Sequence, residues 1–378
     1  MPEQITVGLL GFGSVGSGLY HVLKKTPIPH IHLKTIVVKN PRKPRSIDAS
    51  NFSYDPQDIL DDPDINVVLE LIDDAEAAYT IVKQALQHKK HVVSANKKML
   101  AHHLEELMTL AQTNQVSLLY EAAVCASIPI LKTLETSFSH DPITSLKAIS
   151  NGTSNYVLTR LFQEPQPFEN IITDAQQHGF AESDPTLDID GWDSTYKLII
   201  SNLHAFGVLS QPKDVLALGI RYIKPEDIEF AKDQDFNIKL IGHSELKDDG
   251  LSAYVAPHFI PQTDALTHIA FENNAVQINA EFAHQQLFQG KGAGSIPTAS
   301  AVLSDLVSLL NNYTYLYSKA QNTETPLHPE QLLKVYISSY NSKDLEAFTF
   351  KTEILQGTQD RLQYKIGNLS VKDLKRQF

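Results

Sequence analysis

Asp193 and Lys197 stand four residues apart in Gly191–Phe206, where apolar spacing predicts a helix, so their side chains share one face. Glu182 and Asp188 lie just upstream, in the segment that leads into that helix. Three carboxylates gathered near one lysine make an acidic pocket suited to a ligand's ammonium group, and they would also orient a bound water. The lysine is itself a titratable group. Its ordinary pKa of about 10.4 makes it a poor acid at neutral pH unless desolvation or a second cation lowers it. Taken alone, Asp193 and Lys197 would read as an exposed ion pair worth about 0.3–0.5 kcal/mol. The matching spacing of Glu182 and Asp188 favours a site.

A second group of residues points to phosphate. The apolar run Ile5–Leu10 leads into Gly11-Phe12-Gly13-Ser14-Val15-Gly16, after which Leu19, Val22 and Leu23 fall at helical spacing. In a strand–turn–helix unit, Gly11 permits the tight turn, Gly13 lets a pyrophosphate approach the backbone, and Gly16 lets helix pack on strand. The helix N-terminus offers unpaired N–H groups to the anion. The alternative is a glycine turn without a ligand. At the end of the second β-branched run, Thr35–Val38, an NAD site wants an acidic residue for the ribose hydroxyl. Lys39 stands there, followed by Arg42, Lys43 and Arg45, which suits a 2′-phosphate and favours NADP over NAD. The competing reading of those cations is a solvated basic loop.

These residues need a framework. Short strands at 66–72, 91–93 and 116–120 alternate with helices at 75–88 and 104–113, which argues a doubly wound, parallel, Rossmann-type α/β sheet. Past Pro129 the pattern becomes α+β. Asn151-Gly152 reads as a turn, Phe168–Gly179 as a helix, and Asp190 as the cap of the helix Gly191–Phe206. Leu251–Pro261 and Ala275–Phe288 read as strands, Gly290–Gly294 as a glycine loop, and Pro297 opens a helix to Leu310. The expected division is a dinucleotide domain at 1–130, an α+β domain at 131–296 and a small α+β tail at 322–378. The 378 residues carry 44 acidic against 32 basic side chains, a formal net charge of −12, so a phosphate-tracking nucleic-acid surface is disfavoured. One cysteine, Cys125, excludes an intrachain disulfide and fits a reducing cytoplasm. No apolar run approaches the roughly 18 residues of a membrane span, and no signal peptide is expected.

Five segments together resemble the homoserine dehydrogenase family. His91–Lys97 is similar to its V-V-T-A-N-K segment, and Glu121–Val124 with Ile128-Pro129-Ile130 to its E-A-x-V-x-G-G-I-P-I stretch. Asn151–Tyr156 matches N-G-T-x-N-Y. Gly179–Lys197 matches G-Y-A-E-x-D-P-x-x-D-x-x-G-x-D-x-x-x-K, and Gly292–Val302 matches G-A-G-x-x-P-T-A-S-A-V. The resemblance covers roughly residues 5–315 in the family's order, and the fourth segment is highly specific. It implies a reversible NAD(P)-linked interconversion of L-homoserine and L-aspartate 4-semialdehyde, in the biosynthesis of threonine, methionine and isoleucine. Lys197 would be the catalytic acid/base. Lys97 would be a second cation near nicotinamide and substrate, helping to stabilise an alkoxide-like transition state. Glu182, Asp188, Asp193 and Thr153 would bind substrate. Gly11, Phe12, Gly13, Ser14, Val15, Gly16, Lys39, Ser94, Lys97, Gly179 and Gly292 would meet the cofactor. A monovalent cation, usually sodium, would sit on the backbone carbonyls of Glu121, Val124, Ala126 and Ile128, hard ligands suited to a hard ion, against the alternative of a turn with no ion. A cytoplasmic homodimer joined through an open sheet, without a fused aspartokinase, completes the expectation.

Two departures stand out. Asp73-Asp74 occupies a turn where the family carries Gly-Gly, and two carboxylates there would repel phosphate or alter ribose contacts. Cys125-Ala126-Ser127 replaces a small-Gly-Gly run at the proposed cation turn. Cys125 reads as a packed residue rather than a nucleophile. The fifteen histidines show no metal-ligand spacing, and no Gly-x-Ser-x-Gly elbow occurs. By the same resemblance, the helix at 297–320 returns to the dinucleotide domain and 131–296 is the catalytic and dimerisation domain. The tail at 322–378, without the glycine that usually opens the first helix of the family's small regulatory domain, reads as a truncated version of that domain or as an added layer at a subunit interface. Two rival readings are a Rossmann dehydrogenase for another small amino-acid-derived aldehyde, and a non-catalytic cofactor-sensing homologue.

Overall fold

The computed structural model describes residues 4–164, 166–179, 181–320, 325–327 and 330–377. Phe180 of the fourth family-like segment and residues 322–324 at the start of the tail lie outside them. The chain divides into two compact units, one of residues 1–140, 199–209 and 290–321, the other of 141–198, 210–289 and 322–378.

In the first unit Ile5–Leu10 (β1), Ile31–Val37 (β2), Val67–Glu70 (β3), His91–Ser94 (β4) and Leu118–Leu119 (β5) form an all-parallel sheet, ordered β2-β1-β3-β4-β5. Val7, Leu9, Val68, Leu69, Val92 and Val93 are fully buried, as both faces of a parallel sheet must be. This is a Rossmann-like fold. The strand order reverses between β1 and β3, where the carboxyl ends of an open α/β sheet leave a crevice for ligands. Helix Ser295–Leu310 returns along helix Ser14–Lys25, with the Ser295 hydroxyl donating to the Ser14 carbonyl at 2.6 Å. A Cβ on Gly18 would lie 2.2 Å from the Ser295 hydroxyl oxygen, so glycine is what lets the two helices approach.

The second unit is built on a six-stranded sheet. Its strands are Ile143–Ile149 (β6), Leu216–Ala217 (β7), Phe236–Lys247 (β8), Gly250–Pro261 (β9), Asn273–Ala280 (β10) and His284–Lys291 (β11), in the order β11-β10-β6-β8-β9-β7. Ile149, Ile241, Ile260, Leu266, Ile269 and Ala275 form a core cluster against it. In the tail, Leu332–Ser339 (β12), Thr352–Gln359 (β13) and Leu362–Ser370 (β14) make an antiparallel sheet ordered β12-β14-β13.

Several expected elements differ. Asn151-Gly152 is not a free turn: Asn151 has extended φ and ψ and caps the helix Gly152–Gln163, its side chain accepting from the Ser154 N–H at 2.7 Å. The helix expected from Leu104 begins at Lys97, capped by Asn96. Asp190 does not cap its helix, which runs Trp192–Phe206 after Gly191 at φ +84°. Its carboxylate instead takes a bidentate pair from Arg221. The run Ala275–Phe288 splits into β10 and β11, and Gly290 still belongs to β11 rather than to a loop. Among the described residues, no helix is long and apolar enough to cross a membrane.

Candidate active site

The glycine turn closes the crevice of the first unit. Gly11 sits at φ +96°, and a Cβ there would lie 2.3 Å from the Leu71 carbonyl that follows β3. A Cβ on Gly16 would lie 2.3 Å from the Gly11 carbonyl. Gly13 is different: its φ of −83° is ordinary, and nothing lies within 4 Å of where its Cβ would be. That open ground lies before the N-terminus of the helix Ser14–Lys25, where N–H groups await an acceptor, so the residues present fit a dinucleotide phosphate. Phe12 is buried edge-to-face against Phe52 and Tyr20, and the Arg45 guanidinium stacks on Phe52 at 5.1 Å. Val15 is half-buried in the first turn of that helix, and Lys39 is exposed beyond β2.

Beside this turn stands a buried acid that sequence reasoning missed. Glu70, at the end of β3, accepts from the Ile72 N–H at 2.7 Å and the Ser94 hydroxyl at 2.5 Å. Full burial pushes its pKa up to about 7, with the Asp73 charge adding to the rise. The Ser94 oxygen in turn accepts from the Asn96 N–H, and the Asn96 amide donates to the Ile72 carbonyl. This lattice fixes where the helix Lys97–Asn114 starts. Lys97 is its first residue, and the first turn carries no acid. A cation at a helix N-terminus works against the macrodipole, at about 0.3–1 kcal/mol, so its place there is not explained by helix stability. Asp74 has a structural role, capping the helix Ala75–Gln87 by accepting from the Glu76 and Ala77 N–H groups. The Ala77 bond heads the causes that hold its carboxyl below the usual range, and Lys39 contributes charge to it.

Glu121, Val124, Ala126 and Ile128 line a buried turn. The Glu121 and Ile128 carbonyls each accept a backbone N–H, from Val124 and Ile130. The Glu121 carboxylate faces elsewhere, accepting from the Leu131 and Lys132 N–H groups at 2.8 Å each. Burial and the charge of Asp305 push its pKa up to about 7. The bend itself is left-handed at Cys125 (φ +54°) and Ala126 (φ +40°), a conformation that favours glycine. Ala126→Gly is therefore expected to raise stability by about 0.5–1 kcal/mol, read as an upward shift in the denaturant midpoint at constant m-value.

The second unit holds the acids and the other lysine. Asp193 and Lys197 lie one turn apart on the helix Trp192–Phe206, and both are more than nine-tenths buried, unlike an exposed ion pair. The Lys197 ammonium donates to Asp193 Oδ2 at 2.8 Å and to the Ser150 carbonyl at 2.6 Å. The Asn151 amide nitrogen donates to Asp188 Oδ1 at 2.6 Å and to the same Asp193 Oδ2 at 2.9 Å. Asn274, on β10, also donates its amide to the Ser150 carbonyl, at 2.8 Å. Burial first, and the Asp193 charge second, push the Asp188 pKa up, while bonds from Asn151 and Thr153 oppose the rise. The cluster is an acid pair, one ammonium and an amide bridge, all on three adjoining segments.

Thus Thr153, Asp188, Asp193 and Lys197 come together. Glu182 does not join them: it is exposed, and among the described residues only its main-chain carbonyl is bonded, by the Gln176 amide. Gly179 is exposed at φ +75° beyond the helix Phe168–Gln177, with nothing within 4 Å of its Cβ position. Gly292 is buried in the loop before Ser295. Lys97 and Gly292 belong to the first unit, Lys197 and Gly179 to the second. Sequence reasoning missed Ser150, Asn151 and Asn274. The one signal for them was the asparagine opening Asn-Gly-Thr, a strong N-cap type.

Residues 129–307 match the family model for homoserine dehydrogenase, and residues 11–121 that for the homoserine dehydrogenase NAD-binding domain. The homoserine dehydrogenase of Bacillus subtilis is 35% identical over 354 residues, 89% of this chain and 82% of that protein. That of Lactococcus lactis is 37% identical over 317 residues, 81% of this chain and 74% of that protein. The crystal structure of a homoserine dehydrogenase from Thiobacillus denitrificans superimposes with a TM-score of 0.88 at 29% identity, covering 99% of this chain and 93% of that one. The chain belongs to the homoserine dehydrogenase family of NAD(P)-dependent oxidoreductases.

Proposed function

We propose that Asp188 and Asp193 grip the amino group shared by L-homoserine and L-aspartate 4-semialdehyde, and that Lys197 moves the proton at the reacting oxygen. The observation that carries this reading is the buried Lys197 ammonium, fixed at 2.8 Å from Asp193 while Asp193 is bridged to Asp188. Two carboxylates against one ammonium leave the cluster short of one positive charge, which a substrate ammonium supplies. Bound to the first unit, a nicotinamide dinucleotide supplies or takes up the hydride. Lys197 hands a proton to the oxygen as the aldehyde is reduced and takes it back in the reverse direction. Lys97 contributes a second positive charge that favours the alkoxide-like transition state. Thr153 positions Asp188 through its hydroxyl. Glu182, exposed and outside the buried cluster, would serve as an outer contact for the amino acid.

Phe12, Gly13, Ser14, Val15 and Gly16 would hold the pyrophosphate of the cofactor, with Gly11, Ser94, Gly179 and Gly292 as further contacts. Lys39, Arg42, Lys43 and Arg45, four cations in one segment beyond β2, support NADP over NAD. The carbonyls of Glu121, Val124, Ala126 and Ile128 would take a sodium ion, supported by their burial and by hard oxygen donors. In this reading 1–130 with 297–320 is the nucleotide domain, 131–296 the catalytic and dimerisation domain, and 322–378 an added layer, in a cytoplasmic homodimer. Initial rates of aspartate semialdehyde reduction with NADPH and NADH, each with and without sodium, test the assignment. The expected result is a higher kcat/KM with NADPH and a rise with sodium. A large NADH preference overturns the first, and sodium-independent rates overturn the second.

A further inference from the structure

Asn151 occupies a position that the roles above leave unused. Its side chain makes three bonds at once: Oδ1 accepts from the Ser154 N–H at 2.7 Å, and Nδ2 donates to Asp188 at 2.6 Å and to Asp193 at 2.9 Å. The first bond decides the other two. A backbone N–H at a helix N-terminus can be met only by an acceptor, so the amide oxygen must face Ser154 and the amide nitrogen must face the acids. Flipping the amide would set its NH2 against an N–H and its oxygen against two carboxylates. The helix cap thereby aims two donors, and Asn151 is only 5% exposed, so little water is there to replace them.

The neighbouring peptide adds a second link. The Ser150 carbonyl receives both the Lys197 ammonium and the Asn274 amide. Residues 150 and 151 therefore connect the lysine and both acids through consecutive positions at the end of β6. Asp193 Oδ2 is the shared point, taking one bond from Lys197 and one from Asn151.

We propose that Asn151 is the positioning residue of the substrate-ammonium site, whose cap-locked amide holds Asp188 and Asp193 as a pair and sets them in register with Lys197. This rests on the proposed reading of that cluster. Asn151 touches no reacting atom. It acts by keeping two like charges at the width of one amide nitrogen, where a single ammonium can meet both. The titratable groups facing this amide are Asp188, from the short helix Thr186–Ile189, and Asp193 and Lys197, from the helix Trp192–Phe206. Thr153, on the capped helix, is the remaining hydroxyl on Asp188.

Asn151→Ser separates capping from bridging, because serine caps helices about as well as asparagine but cannot reach both acids. Its NADPH affinity is expected to stay at the wild-type value, and its unfolding midpoint to fall less than that of Asn151→Ala, which loses the cap as well as the bridge. Its kcat/KM for aspartate semialdehyde is expected to fall about 10- to 100-fold, mostly through KM. The acid limb of the pH profile is expected to move to higher pH, since Asp188 loses a donor that favours its ionised form. Asn151→Asp keeps an acceptor for the cap while adding a third carboxylate, so its KM should rise further. A structural role alone would lower kcat without moving the acid limb. An active wild type beside an Asn151→Ser enzyme of unchanged KM and pH profile overturns the role of Asn151 and leaves the proposed reading standing. A wild type that neither reduces aspartate semialdehyde nor binds homoserine overturns both.

Discussion

Replacing Lys197 by alanine should lower kcat for aspartate semialdehyde reduction by about 10³-fold, within the range general acid–base groups contribute. NADPH affinity should be unchanged, because the glycine turn belongs to the first unit and makes no use of this side chain. Two physical effects add in this variant. The oxygen loses its proton donor, and the Asp188–Asp193 pair loses the ammonium that balances it at 2.8 Å. The second effect also predicts a lower thermal midpoint, since an uncompensated buried charge is costly. Lys197→Arg keeps the charge but brings a planar fork too large for a site closed by the Ser150 carbonyl and Asp193. It should recover stability more than turnover. Stopped-flow turnover and NADPH fluorescence titration together check the expectation. Near-normal kcat in Lys197→Ala would remove the acid/base role.

Gly13→Ala should leave the fold intact and remove cofactor affinity. Its φ of −83° suits any residue and its Cβ position is open, so no strain attends the change in the protein alone. The same open ground is what a pyrophosphate needs in order to approach the backbone. The NADPH Kd should rise at least about tenfold, equal to about 1.4 kcal/mol, with the thermal midpoint unchanged. Gly16→Ala makes the contrast. Its Cβ would lie 2.3 Å from the Gly11 carbonyl, so helix and strand must move apart and stability must fall as well. Calorimetric melts with and without NADPH separate the two variants. A Gly13→Ala protein that binds NADPH normally would show that the dinucleotide does not lie along this turn.

How much is legible in the sequence follows from how local its causes are. The strand Ile5–Leu10 and the glycines after it are readable because their spacing is local, with Gly11 turning the chain at φ +96° and Gly16 packing on the Gly11 carbonyl within the same turn. Asp193 and Lys197 are readable because helix geometry alone brings them together. The long strand Phe236–Lys247 is not readable. It carries Asn237, Lys239 and His243 among its apolar residues, which hides the period of a strand. Lys239 is buried because Asn155 and the Ile269 carbonyl, far along the chain, receive its ammonium, and burial pulls its pKa down to about 8. Asn151 reads as a turn residue in the sequence because its acids lie 37 and 42 positions away. Asp74 reads there as a threat to phosphate, although its cap is a local bond and the Asp-x-x helix start is visible. Side chains whose partners are distant in sequence give no periodic signal, and most of the cluster around Lys197 is of that kind.

Recognition of the substrate's amino group by a buried acid pair is the central claim. The most direct measurement compares aspartate semialdehyde with succinate semialdehyde, which differs by lacking that amino group, as substrates for NADPH oxidation by the wild-type protein. The predicted kcat/KM for the amino-bearing aldehyde is higher by about 10²–10³, because the analogue leaves the Asp188–Asp193 pair short of its positive charge. Equal kcat/KM values for the two aldehydes would contradict it.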